Sequence, residues 1–233
     1  VNLFLKRAFD IIASLIGLVL LFPVFVILAV LIKIDSAGPV FFRQDRRTKD
    51  GKIFSMYKFR SMAVDAEKTG AGLFNYKDDP RVTKMGRFLR DTSLDELPQL
   101  INVLFGDLSL VGPRPPVTYE LGDFDTLNSK YKKRFKMKAG ITGLAQVEGR
   151  NGITWDEKVD FDNRYIDIFQ KQGVIVDIKI LLKTLVNVFM SKDIYEEKPD
   201  ESLDSIEASR LAEEEIIRIA HIPDDFDRVK ESV

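Results

Sequence analysis

The sequence predicts an α+β fold, mostly helical: an N-terminal re-entrant membrane helix, a small β-hairpin, and a compact cytosolic domain with interfacial amphipathic helices. Three observations carry this expectation. Residues 11–32 run for 22 positions without a charge, which as a helix is about 33 Å, enough to cross a hydrocarbon core. Residues 40–44 and 52–59 read as two short strands around the turn-forming Asp50-Gly51. Residues 174–190 are strongly apolar yet carry Asp177, Lys179 and Lys183, which suits either a core helix or a helix lying flat on a bilayer. The expected boundaries are 1–35 for the membrane helix, 36–195 for the main domain and 196–233 for an acidic tail.

The apolar run is long for a secretory signal, and no small-residue cleavage site follows it. A single span is the ordinary alternative, and two features argue against it. Pro23 stands at the middle, where it removes a backbone hydrogen bond and bends a helix. Lys6 and Arg7 precede the run, while Lys33, Arg43, Arg46 and Arg47 follow it. Basic flanks are normally cytoplasmic, so two basic flanks favour a helix that enters the membrane and returns to the same face.

Charge divides the remainder. Residues 192–233 hold 6 basic and 14 acidic side chains, and the preceding 191 residues hold 29 basic and 22 acidic ones. A basic body suits phosphate ligands or an anionic lipid surface, while the acidic tail is expected in solvent. No zinc-finger spacing or RNA-recognition signature supports nucleic acid as the partner. The chain has no cysteine, which removes disulfides, thiol nucleophiles and zinc–thiolate sites. Its one histidine, His221, lies in the tail, which argues against His-based catalysis. Any metal is then expected on oxygen ligands, pointing to Mg2+ or Mn2+.

In chain order, Ser36-Ala37-Gly38-Pro39 ends the first helix. Lys58 and Arg60 leave the second strand, and residues 63–80 read as a polar loop. Arg81, Lys84, Arg87 and Arg90 recur at helical spacing and lead into Asp91-Thr92-Ser93-Leu94-Asp95-Glu96-Leu97-Pro98. An Asp can act as a covalent nucleophile toward phosphorus, and a neighbouring Glu can take a proton or share a hard cation. Ser93-x-x-Glu96 also has the form of a capping box, in which both side chains satisfy amides at a helix start. The two readings are compatible, because a helix N-terminus favours anions.

A core-packing helix follows Pro98 and ends at Gly106-Asp107. Pro113, Pro115 and Pro116 surround Arg114, placing a residue suited to bidentate phosphate contacts on a stiff loop. Residues 118–137 suggest one or two helices ending in a basic run. The glycine-rich stretch from Gly140 to Gly152 can bring backbone close to a nucleotide, with Arg150 as a charged contact. Residues 204–219 suggest an acidic amphipathic helix that docks on the body or on a second copy in a homo-oligomer. Together these features read as phosphoryl transfer at a membrane surface.

From about Lys6 to Ile194 the chain resembles the small monotopic phosphoglycosyl transferases of the bacterial sugar transferase family. The resemblance rests on ordered motifs: Lys6-Arg7-x-Phe9-Asp10, Lys58-Phe59-Arg60-Ser61-Met62, Ser93-Leu94-Asp95-Glu96-Leu97, Val111-Gly112-Pro113-Arg114-Pro115, and Gly140-Ile141-Thr142-Gly143-x-Ala145-Gln146-Val147-x-Gly149-Arg150-Asn151. It implies a membrane helix broken at Pro23. It further implies that Asp95 attacks the β-phosphate of a UDP-sugar, expels UMP, and passes the phosphosugar to polyprenyl (undecaprenyl) phosphate. By the same resemblance Glu96 coordinates Mg2+ or relieves a proton, with Asp95 as the other metal ligand. Lys58, Arg60, Arg90, Arg114, Gln146 and Arg150 are the implied substrate-binding positions. The implied location is the cytoplasmic face of the bacterial inner membrane, amid membrane lipids. Members often carry Ser where this chain has Phe22, and Trp where it has Leu144. A membrane-bound phosphohydrolase using the same Asp, or a non-catalytic membrane scaffold, are the alternatives.

Overall fold

The computed structural model describes residues 3–66, 79–149, 153–190 and 205–223. Helix α1 spans Leu3–Asp35 and continues through Pro23. Most of its surface is apolar and exposed, including Phe4, Ile12, Ile16, Leu20, Phe22, Ile27 and Ile34. Across its most apolar stretch only 11% of the residues are buried by the rest of the protein. That is the pattern of a helix whose outer face is solvated by lipid tails rather than by protein.

The inner stripe of α1 is pinned at both ends. Near the start, the buried Lys6 Nζ donates to Asp177 Oδ2 at 2.6 Å and to the Val111 carbonyl at 2.9 Å. Tyr165 donates to the second oxygen of Asp177 at 2.8 Å. One turn on, the Asp10 carboxylate accepts from Ser109 Oγ and from the Leu110 amide. Arg7 donates to the carbonyls of Val103 and Leu104 at 2.6 and 2.8 Å. These lie in the last turn of helix α3 (Gln99–Phe105), where carbonyls lack intrahelical partners and a cation is favoured. At the far end, Leu28 and Ile32 pack with Phe59 and Leu89, and Asp35 accepts from the Met85 amide.

Strands β1 (Phe41–Arg47) and β2 (Ile53–Phe59) form the expected antiparallel hairpin, with Phe41 opposite Phe59 and Arg47 opposite Ile53. Asp50 and Gly51 both adopt positive φ at its tip, the backbone that an Asp-Gly turn supplies. A second sheet has no counterpart in the sequence reading: β3 (Ser109–Val111) pairs in parallel with β4 (Gly140–Thr142). At three residues each, these strands are too short to show alternation. They depend on close backbone approach, since a Cβ on Gly140 would stand 2.0 Å from the Gly112 nitrogen.

Helices α2 (Lys84–Asp91) and α3 sit beside the hairpin. Helices α4 (Ser129–Lys133), α5 (Leu144–Glu148), α6 (Trp155–Gln172), α7 (Val174–Met190) and α8 (Ser205–Ala220) complete the described elements. The main core gathers Val103, Leu108, Val111, Tyr165, Phe169 and Ile180 between α3, β3, α6 and α7. The expected helices over 118–137 shrink to α4 and one 3-10 turn at Arg134–Lys136. Locally bonding side chains explain this: Asp123 accepts from the Asp125 amide, its carbonyl accepts from Thr126, and Gly122 takes positive φ.

The tail helix α8 docks on the body. Ile216 and Ala220 close a second cluster with Leu121, Leu127, Tyr131 and Phe135. Asn128, which caps α4 through its side-chain oxygen, also donates to the carbonyls of Ile219 and Ile222. Helix α7 buries Val176, Asp177 and Ile180 and leaves Ile175, Ile178, Leu182 and Leu185 exposed. Both sides of α7 are therefore apolar, and only one is covered by protein.

The Lys6–Asp177 pair gives a direct check. Lys6→Ala strands a buried carboxylate and is expected to cost about 3–5 kcal/mol, read as a lowered unfolding midpoint in detergent. The double replacement Lys6→Met with Asp177→Leu should recover most of that loss, because neither charge of the pair is left buried alone.

Candidate active site at the carboxylate pair

Two helices and a strand converge on Asp95 and Glu96. Thr83 caps α2 by accepting from the Gly86 amide. Gly86 lies so close to β2 that a Cβ would stand 1.8 Å from the Ser61 carbonyl oxygen, so α2 rests directly on the strand's exit. Arg90, in the last turn of α2, donates to Ser61 Oγ at 3.0 Å. After α2 the chain reverses at Ser93, whose φ of 56° is left-handed. Such a conformation costs a non-glycine residue of order 1–3 kcal/mol and is found at sites the surroundings over-determine.

The capping-box reading of Ser93-x-x-Glu96 is corrected here. Ser93 makes no side-chain cap, and Leu94–Glu96 form a single 3-10 turn. The Glu96 carboxylate points instead at cations. A reciprocal capping box does occur elsewhere, where Thr154 and Glu157 open α6.

Lys58 Nζ donates to Glu96 Oε1 at 2.8 Å and stands 3.9 Å from Asp95 Oδ2. Arg114 Nη2 reaches the same Glu96 oxygen at 3.3 Å. The lysine and both carboxylates are largely shielded, whereas the Arg114 side chain is 48% exposed. Glu96 therefore has two cationic partners. Among the described residues, no hydrogen bond engages the Asp95 carboxylate beyond its longer approach to Lys58.

The two acids are driven apart in acidity. Burial pushes Asp95 up to about 6, against the pull of Lys58, with the Glu96 charge adding to the rise. For Glu96 burial also acts upward, but Lys58 and Arg114 outweigh it and hold the carboxyl at about 2. Arg90 and Arg114 both favour the ionised form of Asp95. The outcome is one permanently charged acid and one that titrates near neutrality, the usual signature of two carboxyls with divided roles.

Three residues that the sequence reading passed over hold this geometry. Buried Asn102 of α3 accepts from the Tyr57 amide at 2.9 Å and donates to the Ser55 carbonyl at 2.8 Å, locking β2 beside α3. This fixes Lys58 against the turn carrying the acids. Arg134 donates to the Arg114 carbonyl at 2.7 Å, approaches Asp162 at the same distance, and lies over the Trp155 ring at 5.0 Å. Arg134 and Asp162 are both buried, and burial pushes the Asp162 carboxyl up to about 6 despite its partner. No local pattern marks Asn102, Arg134 or Asp162, because each acts through a contact far along the chain.

The acids open onto a cleft of about 930 Å³ lined by the hairpin, the 112–117 loop, α5 and α7. The structure unites Lys58, Asp95, Glu96 and Arg114, and sets Arg90 within electrostatic reach of them. Arg60 borders the cleft, but its guanidinium is occupied elsewhere: it donates to the Ser36 and Ala37 carbonyls and to Ser36 Oγ, closing the end of α1. Gln146 lies in the cleft wall. Pro23 is within α1, away from the acids in sequence, and Arg150 lies outside the described residues. No group of three acidic or histidine side chains stands ready for a metal among the described residues.

Lys58→Met should move Asp95 above its value of about 6, because it removes the cation that lowers it. It should also raise Glu96 toward the ordinary carboxylate range. Carbon-detected NMR of labelled carboxyls measures both, and a downward move of Asp95 contradicts this account of the site.

Comparison with known proteins identifies the family of the chain. Residues 1–191 match the family described as bacterial sugar transferase. The galactosyl transferase CpsE of Streptococcus agalactiae serotype III is 46% identical over 200 residues, covering 81% of this chain and 43% of that protein. The UDP-glucose:undecaprenyl-phosphate glucose-1-phosphate transferase of Escherichia coli K12 is 44% identical over 200 residues, covering 84% and 42%. The exopolysaccharide production protein PSS of Rhizobium leguminosarum bv. phaseoli is 41% identical over 194 residues, covering 80% and 96%. The chain thus spans less than half of the first two relatives and nearly all of the third. With the match covering most of its length, the chain belongs to the bacterial sugar transferase family.

Proposed function

We propose that this protein transfers a sugar 1-phosphate from a UDP-sugar to undecaprenyl phosphate at the cytoplasmic face of the inner membrane. The observation that carries the reading is the split carboxylate pair. Asp95 is the less engaged acid and titrates near neutrality, while Glu96 is held ionised by Lys58 and Arg114. In the first step an Asp95 oxygen attacks the β-phosphorus of the donor. The bond from that phosphorus to the bridging oxygen breaks, and UMP leaves with the oxygen. In the second step a phosphate oxygen of the polyprenyl acceptor attacks the aspartyl phosphosugar, and the Asp95 carboxylate is released. Dividing the transfer into two displacements spares the site from aligning both substrates at once. Lys58, Arg90 and Arg114 supply fixed positive charge where the phosphoryl oxygens gather it.

The donor set suits Mg2+, with Mn2+ as the alternative. It offers hard carboxylate oxygens alone, and Lys58 already places a cation between them. Asp95 and Glu96 would hold the ion through their carboxylate oxygens. Bound there, it supplies charge neutralisation to the diphosphate.

Helix α1 supports the membrane placement. A straight helix of 33 residues is about 50 Å long. Its first turns are bonded to α3, β3 and α7, and its last turn to α2 and Arg60. A polar body cannot reach both faces of a bilayer, so anchoring of both ends to one body favours an α1 that dips into one leaflet and returns. The exposed apolar side of α7 favours contact with the same surface.

Purified protein given undecaprenyl phosphate and a panel of UDP-sugars should release UMP only with a matching sugar. Continued UMP release without the lipid acceptor, beyond a single equivalent per enzyme, would instead mark a phosphohydrolase. Asp95→Asn should abolish UMP release and any aspartyl adduct seen by mass spectrometry. Because only the ionised carboxylate attacks, wild-type rate should climb with pH through about 6 and level off above it. For topology, Phe4→Cys and Ala37→Cys in this cysteine-free chain should react with a membrane-impermeant thiol reagent from the same side. Labelling from opposite sides would overturn the re-entrant path.

A further inference from the structure

We infer that Gln146 reads the uracil ring of the donor, an assignment that rests on the proposed transfer reaction. Among the described residues, neither the Oε1 nor the Nε2 atom of Gln146 has a hydrogen-bond partner, and neither reaches solvent. Leaving such an amide unmade costs about 1–3 kcal/mol per group unless something restores the bonds. Gln146 is the third residue of α5, where a Gln can reach back to the amide of the residue preceding the helix. That bond is not made, and Gly143 before the helix has no side-chain cap. The amide folds over Gly143, where a Cβ would stand 2.8 Å from Oε1. The missing side chain leaves the amide room to turn toward the cleft it borders.

The ligand chemistry follows from the surroundings. Thr142 bonds Thr184 hydroxyl to hydroxyl, and Asn187 donates to the Val147 carbonyl, so the C-terminal half of α7 is tied to the segment that carries Gln146. This brings Leu181, Leu185 and Val188 into the same cleft, beside Ala145 and Val147. A hexose presents hydroxyls around its whole edge and would leave several unsatisfied against such walls. Uracil has two apolar faces and one polar edge, on which an N–H donor lies between two carbonyl acceptors. A carboxamide matches that edge with one donor and one acceptor, in the way Gln pairs with the edge of a base in nucleic-acid recognition. The same cleft contains Asp95 and Glu96, so base and reacting phosphate share one cavity.

The test compares a UDP-sugar with its N3-methyluridine analogue, which keeps the sugar and diphosphate but loses the central donor. Wild type should lose about 10- to 100-fold in kcat/KM with the methylated donor. Gln146→Ala should lose a similar factor with the ordinary donor and show almost no further loss on methylation. Gln146→Glu keeps the side-chain size but removes its donor. It should fall by about the same factor, which guards against misfolding of the smaller variant. Wild-type transfer that ignores N3-methylation, or a Gln146→Ala enzyme that still discriminates, would overturn the uracil assignment while leaving the reaction standing. Failure of wild type to use any UDP-sugar would remove both.

Discussion

A single ammonium group organises the candidate site. Lys58 stands between two carboxylates that would otherwise repel each other in a shielded place, and its shorter bond goes to Glu96. Burial raises Asp95 to about 6, while Lys58 and Arg114 together hold Glu96 ionised. Everything around it serves to hold the lysine and the acids in register. Asn102 ties the strand carrying Lys58 to the helix that follows the acids, and Arg134 holds the carbonyl of Arg114. The left-handed Ser93 turns the acids back toward the strand. Proteins commonly store strain of this sort where a reactive group must be presented rather than merely packed.

The same body that builds the site also grips α1. Buried Lys6, Asp10 and Asp177 would be costly alone; Lys6 bonds Asp177, and Asp10 accepts from Ser109 Oγ and the Leu110 amide, which offsets that cost. They thereby define one register between the apolar helix and the body that carries the acids. Arg60 performs the matching task at the other end, where it closes off the carbonyls of Ser36 and Ala37. Since Arg60 leaves β2 two residues after Lys58, one short segment of chain serves both the acids and the membrane helix. The position of the acids relative to a lipid surface is thus set by covalent proximity as much as by packing.

Helix α8 lies beyond residues 1–191, the part matched by the family. It nevertheless completes a buried cluster containing Tyr131 and Phe135, the neighbours of Arg134 in sequence and in space. The acidic tail is therefore not wholly a solvated appendage, although its charge pattern read that way. Sparse apolar residues on a charged helix found a matching patch, and only the fold shows where that patch is.

Much was legible in the residue order because it depends on neighbours along the chain. The uncharged run of 11–32, the Asp50-Gly51 hairpin, the glycine end of α3 and the helix over 174–190 all rest on periodicity, turn chemistry or length. Adjacent Asp95 and Glu96, flanked by basic segments, likewise pointed to phosphate chemistry before any contact was known. What local order left open were choices between equally good local partners. Ser93 and Glu96 had the form of a capping box, yet Glu96 turns to Lys58 and Arg114, because two cations hold a carboxylate more strongly than one amide does. Arg60 matches an implied substrate-binding position, and its bonds to the Ser36 and Ala37 carbonyls were not legible beside it. The pairing of β3 with β4, the roles of Asn102, Arg134 and Asp162, and the patch on which α8 docks are invisible to any window of sequence. Each arises from residues that meet only after the chain has folded, and burial then decides which polar groups must find each other.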